Sequence, residues 1–178
     1  QMIEAQATDA KMTEPLNYTD STMRNILSTV RTIAMVGASG DWKRPSFFAM
    51  KYLQRRGYRV IPVNPGRAGT EILGETVYAT LADIPGDIDL VDVFRASEAA
   101  LGVAEDAAKL AQEKNIKVFW LQLGIRNDAA AKIAETAGMQ VIMDRCPKIE
   151  FARLSGELSW SGINTKIITS KVLKAPHA

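Results

Sequence analysis

Residues 32–65 read TIAMVGASGDWKRPSFFAMKYLQRRGYRVIPVNP. Ile33–Val36 is a short apolar run that fits a strand buried on both faces. It ends in Gly37-Ala38-Ser39-Gly40, small residues that let a ligand approach the backbone closely. A polar, basic segment follows, Asp41-Trp42-Lys43-Arg44, and Pro45-Ser46 then opens a helix, with Pro pre-set for the first turn and Ser a good N-cap. Phe47, Met50, Tyr52 and Leu53 keep helical spacing, and Gly57 stops the helix. Val60–Val63 is the next strand, broken by Asn64-Pro65-Gly66. A strand, loop, helix and strand of this length form a right-handed parallel crossover. Its glycine-bearing loop lies where nucleotide phosphates usually bind.

The loop departs from the usual dinucleotide fingerprint. G-x-G-x-x-G requires glycine at positions 39 and 42, which hold Ser39 and Trp42. The helix also starts late, so a tight turn is replaced by a wider loop carrying two cations. The second strand ends Val63-Asn64-Pro65, without the acid that holds the ribose hydroxyls of NAD. An NAD-type ligand is disfavoured. A nucleotide with more phosphate is not.

The same pattern continues outward. Leu90–Phe94 is a buried strand ending at Arg95, and Ser97 caps an alanine-rich helix over Glu98–Lys114. Val118–Leu123 is a further strand, followed by Gly124-Ile125-Arg126, and Asn127 caps a helix that Gly138 ends. Val141–Met143 is the last core strand and leads to Asp144-Arg145-Cys146-Pro147. Alternating strands and helices predict one α/β domain, a Rossmann-like doubly wound parallel sheet of order 3-2-1-4-5-6. Glu71–Tyr78 would be its edge piece, and Leu81–Ile84 at most one helical turn. Residues 1–19 are polar and aperiodic and are expected to be largely disordered, with Asp20 or Ser21 capping a short helix behind them. Residues 20–151 form the domain and 152–178 an extension; along Glu150–Ala178, Phe151, Leu154 and Trp160 are expected to pack against the body before the end frays.

Composition bounds the function. Of 178 residues 47% are hydrophobic and 24% charged, with net charge +2, ordinary for one globular domain. No basic tract or aromatic-interleaved basic stripe suggests nucleic acid, and no apolar run suggests a membrane span. The first twenty residues are too polar for a signal peptide, and a single cysteine excludes an internal disulfide framework. Together these predict a cytoplasmic protein.

In a doubly wound sheet, ligands bind beyond the C-terminal strand ends at the point where strand order reverses. Gly37, Ala38 and Ser39 offer backbone N–H groups and a hydroxyl to phosphate. Lys43 and Arg44 add cations, Arg bidentately, and Ser46 lies at the anion-favouring helix N-terminus. Each has a plainer alternative: a solvated loop charge for Lys43, an N-cap for Ser46, a core position for Phe94. Cys146 is the one candidate nucleophile, set between Arg145 and Pro147-Lys148, against the common role of a small buried hydrophobe. The sole histidine, His177, lies near the C-terminus, so neither a hydrolytic triad nor a zinc site is supported.

GAS…KRPS, GYRVIPVNP, VDVFR, WLQLGIRN and MDRCPKIE, in that order from Asn25 to Phe151, resemble the small stand-alone CoA-binding proteins. Those in turn are similar to the nucleotide-binding domain of the succinyl-CoA synthetase α subunit. The resemblance implies CoA or acyl-CoA as ligand, with Val63, Asn64 and Pro65 flanking the adenosine. It implies that Phe94, Arg95, Gln122, Gly124 and Ile125 follow the pantetheine arm, and that Cys146, at a matching cysteine-proline, lies near the ligand thiol. The synthetase's phosphohistidine and its grasp domain are not identifiable, so ligase activity does not carry over. Two readings stay open, a module that stores, senses or presents CoA and an enzyme of acyl-thioester or thiol-redox transfer using Cys146, while a third, an NAD(P)-dependent oxidoreductase, is disfavoured by Ser39, Trp42 and Asn64. The expected partner is a CoA-type small molecule, and nothing in the sequence names a protein partner.

Overall fold

The computed structural model describes residues 14–156. Strands β1 (Thr32–Val36), β2 (Arg59–Val63), β5 (Leu90–Val93), β6 (Val118–Leu121) and β7 (Gln140–Ile142) form a parallel sheet of order β2-β1-β5-β6-β7. β1 lies between β2 and β5, so the order reverses beside it. The central strands are apolar at nearly every position because helices cover both faces. On one face Ile33, Met35, Leu90, Val118, Trp120 and Ile142 pack under helices α1 (Asp20–Thr29), α2 (Pro45–Arg55) and α5 (Pro147–Leu154). On the other, Ala34, Val36, Val91, Val93, Phe119 and Leu121 meet α3 (Ser97–Leu110) and α4 (Asp128–Thr136). The expected Rossmann-like α/β domain is the fold found. No helix among the described residues is long and apolar enough to cross a membrane.

The strand order needs correction at one edge. Glu71–Tyr78 does not extend the sheet as a third parallel strand. It folds on itself as the antiparallel pair β3 (Glu71–Ile72) and β4 (Glu75–Thr76). Leu73 and Gly74 turn between them with φ of 48° and 83°, the positive pair that a two-residue hairpin favours. The segment's backbone meets the sheet edge at Tyr78, whose N–H donates to Pro62 O at 3.0 Å and whose carbonyl accepts the Asn64 N–H at 2.9 Å, while Glu75 pairs with Arg59 of β2 at 3.3 Å. Leu81–Asp83 is one 3-10 turn.

Helix limits differ in detail. α1 is capped by Thr19, whose Oγ1 accepts the Thr22 N–H at 3.1 Å, rather than by Asp20 or Ser21. α3 begins at Ser97 and stops at Leu110, with Ala96 at the cap position and no side-chain cap bond. Asn127 caps α4 as expected, accepting the Ala130 N–H at 2.9 Å. Residues 14–19 lie against the body rather than apart from it: the Tyr18 hydroxyl accepts the Met143 N–H at 2.9 Å, and Arg145 donates to Leu16 O at 3.1 Å. Residues 1–13, Trp160 and His177 fall outside the described residues. α5 runs through the expected boundary at residue 151, with Phe151 and Leu154 both buried. The Phe151 ring meets Tyr52 and Tyr58 edge-on at 6.2 and 6.0 Å.

Candidate functional site

The site is set by a contact that only glycine permits. Gly37 follows β1 with φ +86°, and a Cβ there would lie 2.3 Å from Phe94 O. Its N–H donates to Val63 O at 2.9 Å, while the Phe94 N–H donates to Val36 O at 2.8 Å. The β1 end is thus drawn tightly between β2 and β5, where the strand order reverses.

The loop beyond is held by its own polar groups. Ser39 donates its N–H to Ser46 Oγ at 3.2 Å, and Ser39 Oγ accepts the Asp41 N–H at 3.1 Å. Asp41 Oδ1 accepts the Lys43 N–H at 3.0 Å. Asn64 joins the two strand ends, donating to Ala38 O at 2.9 Å and accepting the Gly66 N–H at 3.0 Å. Asn64 has no carboxylate to offer a ribose, and its amide is committed to the scaffold. α2 starts with Arg44 at the cap position and Pro45 at N1, and no side chain caps it. Ser46 is buried and turned back to Ser39, so the positive end of α2 is left for an outside acceptor.

Gly37, Ala38, Ser39, Arg44, Ser46, Asn64 and Phe94 line one hollow of about 420 Å³ together with Pro45, which the sequence marks only as the helix start. Arg44 is exposed and makes no ion pair among the described residues. A second hollow of about 470 Å³ lies beyond Gly40 and Asp41 and is walled by Arg67, Thr70, Glu71 and Ile72. Arg67 was missed because it belongs to no periodic element; an arginine in the Pro-Gly-Arg turn after β2 was the available signal.

The other expected site residues do not line the first hollow. Lys43 is exposed, its Nζ 5.6 Å from the Trp42 ring centroid. Val63 is core, and Pro65 opens a 3-10 turn. The Arg95 side chain covers Gly37, its Cδ 2.9 Å from where a Cβ would sit. Gln122, Gly124 and Ile125 belong to the β6–α4 loop, tied to the β7 end by Gly124 N–H to Asp144 Oδ1 at 2.7 Å and Asp144 N–H to Ile125 O at 3.1 Å. Gln122 keeps a buried Oε1 with no hydrogen-bond partner. Cys146, expected to line the far groove, is only 7% exposed and stands at the α5 cap position. Its expected electrostatic partners point elsewhere: the Arg145 guanidinium to Leu16 and the Tyr18 ring, and Lys148 Nζ over the Tyr52 ring.

One buried acid was also missed. Asp92 sits mid-strand in β5, in register with Met35 and Trp120, fully buried, with neither carboxylate oxygen hydrogen-bonded. Burial pushes its pKa well above the ordinary carboxylate value. An acid inside the apolar run LVDVF was the visible signal.

Comparison with known proteins bears on this arrangement. Residues 31–152 match the model of a CoA binding domain. YneT of Bacillus subtilis (strain 168) is 39% identical over 136 residues, 76% of this chain and 96% of that protein. A protein of Pyrococcus horikoshii OT3 superposes with a TM-score of 0.72 at 38% identity, over 80% of this chain and 96% of that one. One from Thermus thermophilus does so with a TM-score of 0.71 at 38% identity, over 76% and 98%. With the family model spanning most of the described residues and the glycine-bearing loop inside it, the chain belongs to the CoA-binding domain family.

Proposed function

We propose that this protein binds CoA or an acyl-CoA at the β1–α2 loop, and that it stores, senses or presents the ligand. The observation that carries the reading is the convergence, at the strand-order reversal, of the Gly37-Ala38-Ser39 backbone, the uncapped α2 N-terminus and the unpaired Arg44. The Gly37 and Ser39 N–H groups are already given to Val63 O and Ser46 Oγ, so the loop backbone shapes the hollow, and the α2 N-terminus and the Arg44 guanidinium supply the positive charge that suits a diphosphate. The glycine contact at Gly37 supports the fit, since a side chain there would wedge β1 from β5. The second hollow, with Arg67, supports a ligand longer and more anionic than one diphosphate. NAD is disfavoured because the end of β2 offers Asn64, already bonded on both sides of its amide, in place of an acid. The burial of Cys146 favours a binding module over thiol transfer.

Native mass spectrometry of the purified full chain tests this. The expected result is an adduct whose mass matches CoA or an acyl-CoA, either co-purified or formed on addition. An NAD(P) adduct with none of CoA would overturn the reading.

A further inference from the structure

α2 has two faces with different work. Ser46, Ala49, Met50 and Leu53 are buried, whereas Phe48, Lys51, Tyr52 and Arg55 follow the i, i+3, i+4, i+7 spacing of a single outward stripe. That stripe, with Trp42 from the loop before α2 and Lys148 from α5, lines an open groove of about 390 Å³. Trp42 is 65% and Phe48 48% exposed, among the few large apolar side chains the described surface leaves open.

The charge in this groove is one-sided. Lys51, Arg55 and Lys148 make no ion pair among the described residues, and no acid lines the groove. The nearby acids are engaged elsewhere: Asp41 with the Lys43 N–H, and Glu150 with Arg153 at 2.6 Å. Lys148 Nζ lies 5.7 Å from the Tyr52 ring centroid, so cations and rings are interleaved.

We propose that this groove is a docking site for an acidic segment of a protein partner that carries aromatic or aliphatic side chains among its carboxylates. Unpaired cations supply complementary charge and the exposed rings supply anchors, the two features that concentrate binding energy at interfaces. Other occupants match less well. A second copy docking through the same face would set these cations against their own images. The chain's residues 157–178 are net basic, with Lys166, Lys171 and Lys174 against the single acid Glu157, and residues 1–13 set only one net negative charge, Glu4 and Asp9 against Lys11, opposite the groove's three cations. A membrane would favour rings projecting from a convex surface, whereas Phe48 and Tyr52 wall a recess. The inference does not depend on the CoA reading.

The test titrates the full chain by calorimetry with a soluble random glutamate–tyrosine copolymer, with polyglutamate, and with phosphatidylcholine–phosphatidylserine vesicles. The copolymer is expected to bind more tightly than polyglutamate, and more weakly as salt rises. Lys51→Glu with Lys148→Glu should weaken it at least about tenfold, and Trp42→Ala at least about threefold. Lys109→Glu with Lys117→Glu, on exposed positions elsewhere, should change it less than about twofold. The milder pair Lys51→Gln with Lys148→Gln, keeping the wild-type thermal transition, separates lost binding from lost folding. Equal losses in the two Glu pairs, equal affinity for polyglutamate, vesicle binding in place of copolymer binding, or a dimer that Trp42→Ala dissociates would each overturn the proposal.

Discussion

Asp92→Asn is the substitution whose outcome follows most directly from the described geometry. The wild-type carboxyl is fully buried between Met35 and Trp120 with no hydrogen-bond partner, and desolvation raises its pKa well above the ordinary 3.8. In the folded state Asp92 therefore holds its proton over a pH range in which the unfolded chain has released it. Below about pH 4 both states are protonated and the residue contributes no pH dependence. As pH climbs above that, the unfolded state gains from ionising and the folded state does not, so stability falls by about 1.4 kcal/mol per pH unit until the folded pKa is reached. Asparagine cannot ionise and removes that slope. Its amide carries its own cost of about 1–3 kcal/mol if unpaired, but that cost is constant with pH. Urea unfolding of both proteins at several pH values from 4 upward reads the difference. The expected result is a stability difference that moves in favour of the Asp92→Asn variant as pH rises, with a slope that approaches about 1.4 kcal/mol per unit once the unfolded carboxyl is ionised. A difference that stays constant across that range would refute the reasoning, because an ordinary carboxyl would then occupy this position.

Gly37→Ala should cost about 2–5 kcal/mol of stability, adding a left-handed backbone penalty to overlap with Phe94 O; chemical denaturation measures it, and a loss below about 1 kcal/mol would show that the β1–β5 junction yields easily. Arg44→Ala should weaken CoA at least about tenfold, since a charge-assisted bond contributes about 1.5–3 kcal/mol, while the unfolding transition stays near wild type because Arg44 is exposed. Cys146 should react slowly with iodoacetamide in the folded protein and quickly in urea, as its burial requires. A CoA mixed disulfide formed under mild oxidation, removed by dithiothreitol and abolished by Cys146→Ser, would restore the thiol-transfer alternative.

The elements that sequence specifies locally were the ones it revealed. The short apolar runs Ile33–Val36, Val60–Val63, Leu90–Phe94 and Val118–Leu123 each hold a strand, though the last two strands stop earlier than the runs, at Val93 and Leu121. Gly37 was legible as a position that needs glycine, but the sequence assigned the close approach to a ligand, whereas the neighbour that would meet a Cβ there is Phe94 O. What escaped depends on pairing across the chain. Leu73-Gly74 closes a hairpin that competes with joining β2, and β-propensity cannot choose between them. The polar residues 14–19 carry no period and are fixed by Tyr18 meeting Met143, 125 positions away. α5 is only 147–154 and opens on Pro, so its start reads as a break. Within the site, the near half converged as expected, whereas the cation–cysteine pairing beyond β7 did not. Side-chain direction decides that pairing: Arg145 turns toward Leu16, and order along the chain gives no hint of it.

Calorimetric titration of the full chain with CoA, ADP and NAD under identical conditions tests the central claim most directly. On the proposed reading CoA should bind more tightly than either, because its diphosphate and additional 3′-phosphate would meet the uncapped α2 start and Arg44, and Arg44→Ala should narrow the gap. Equal affinities for CoA and NAD, or a gap untouched by Arg44→Ala, would contradict the account.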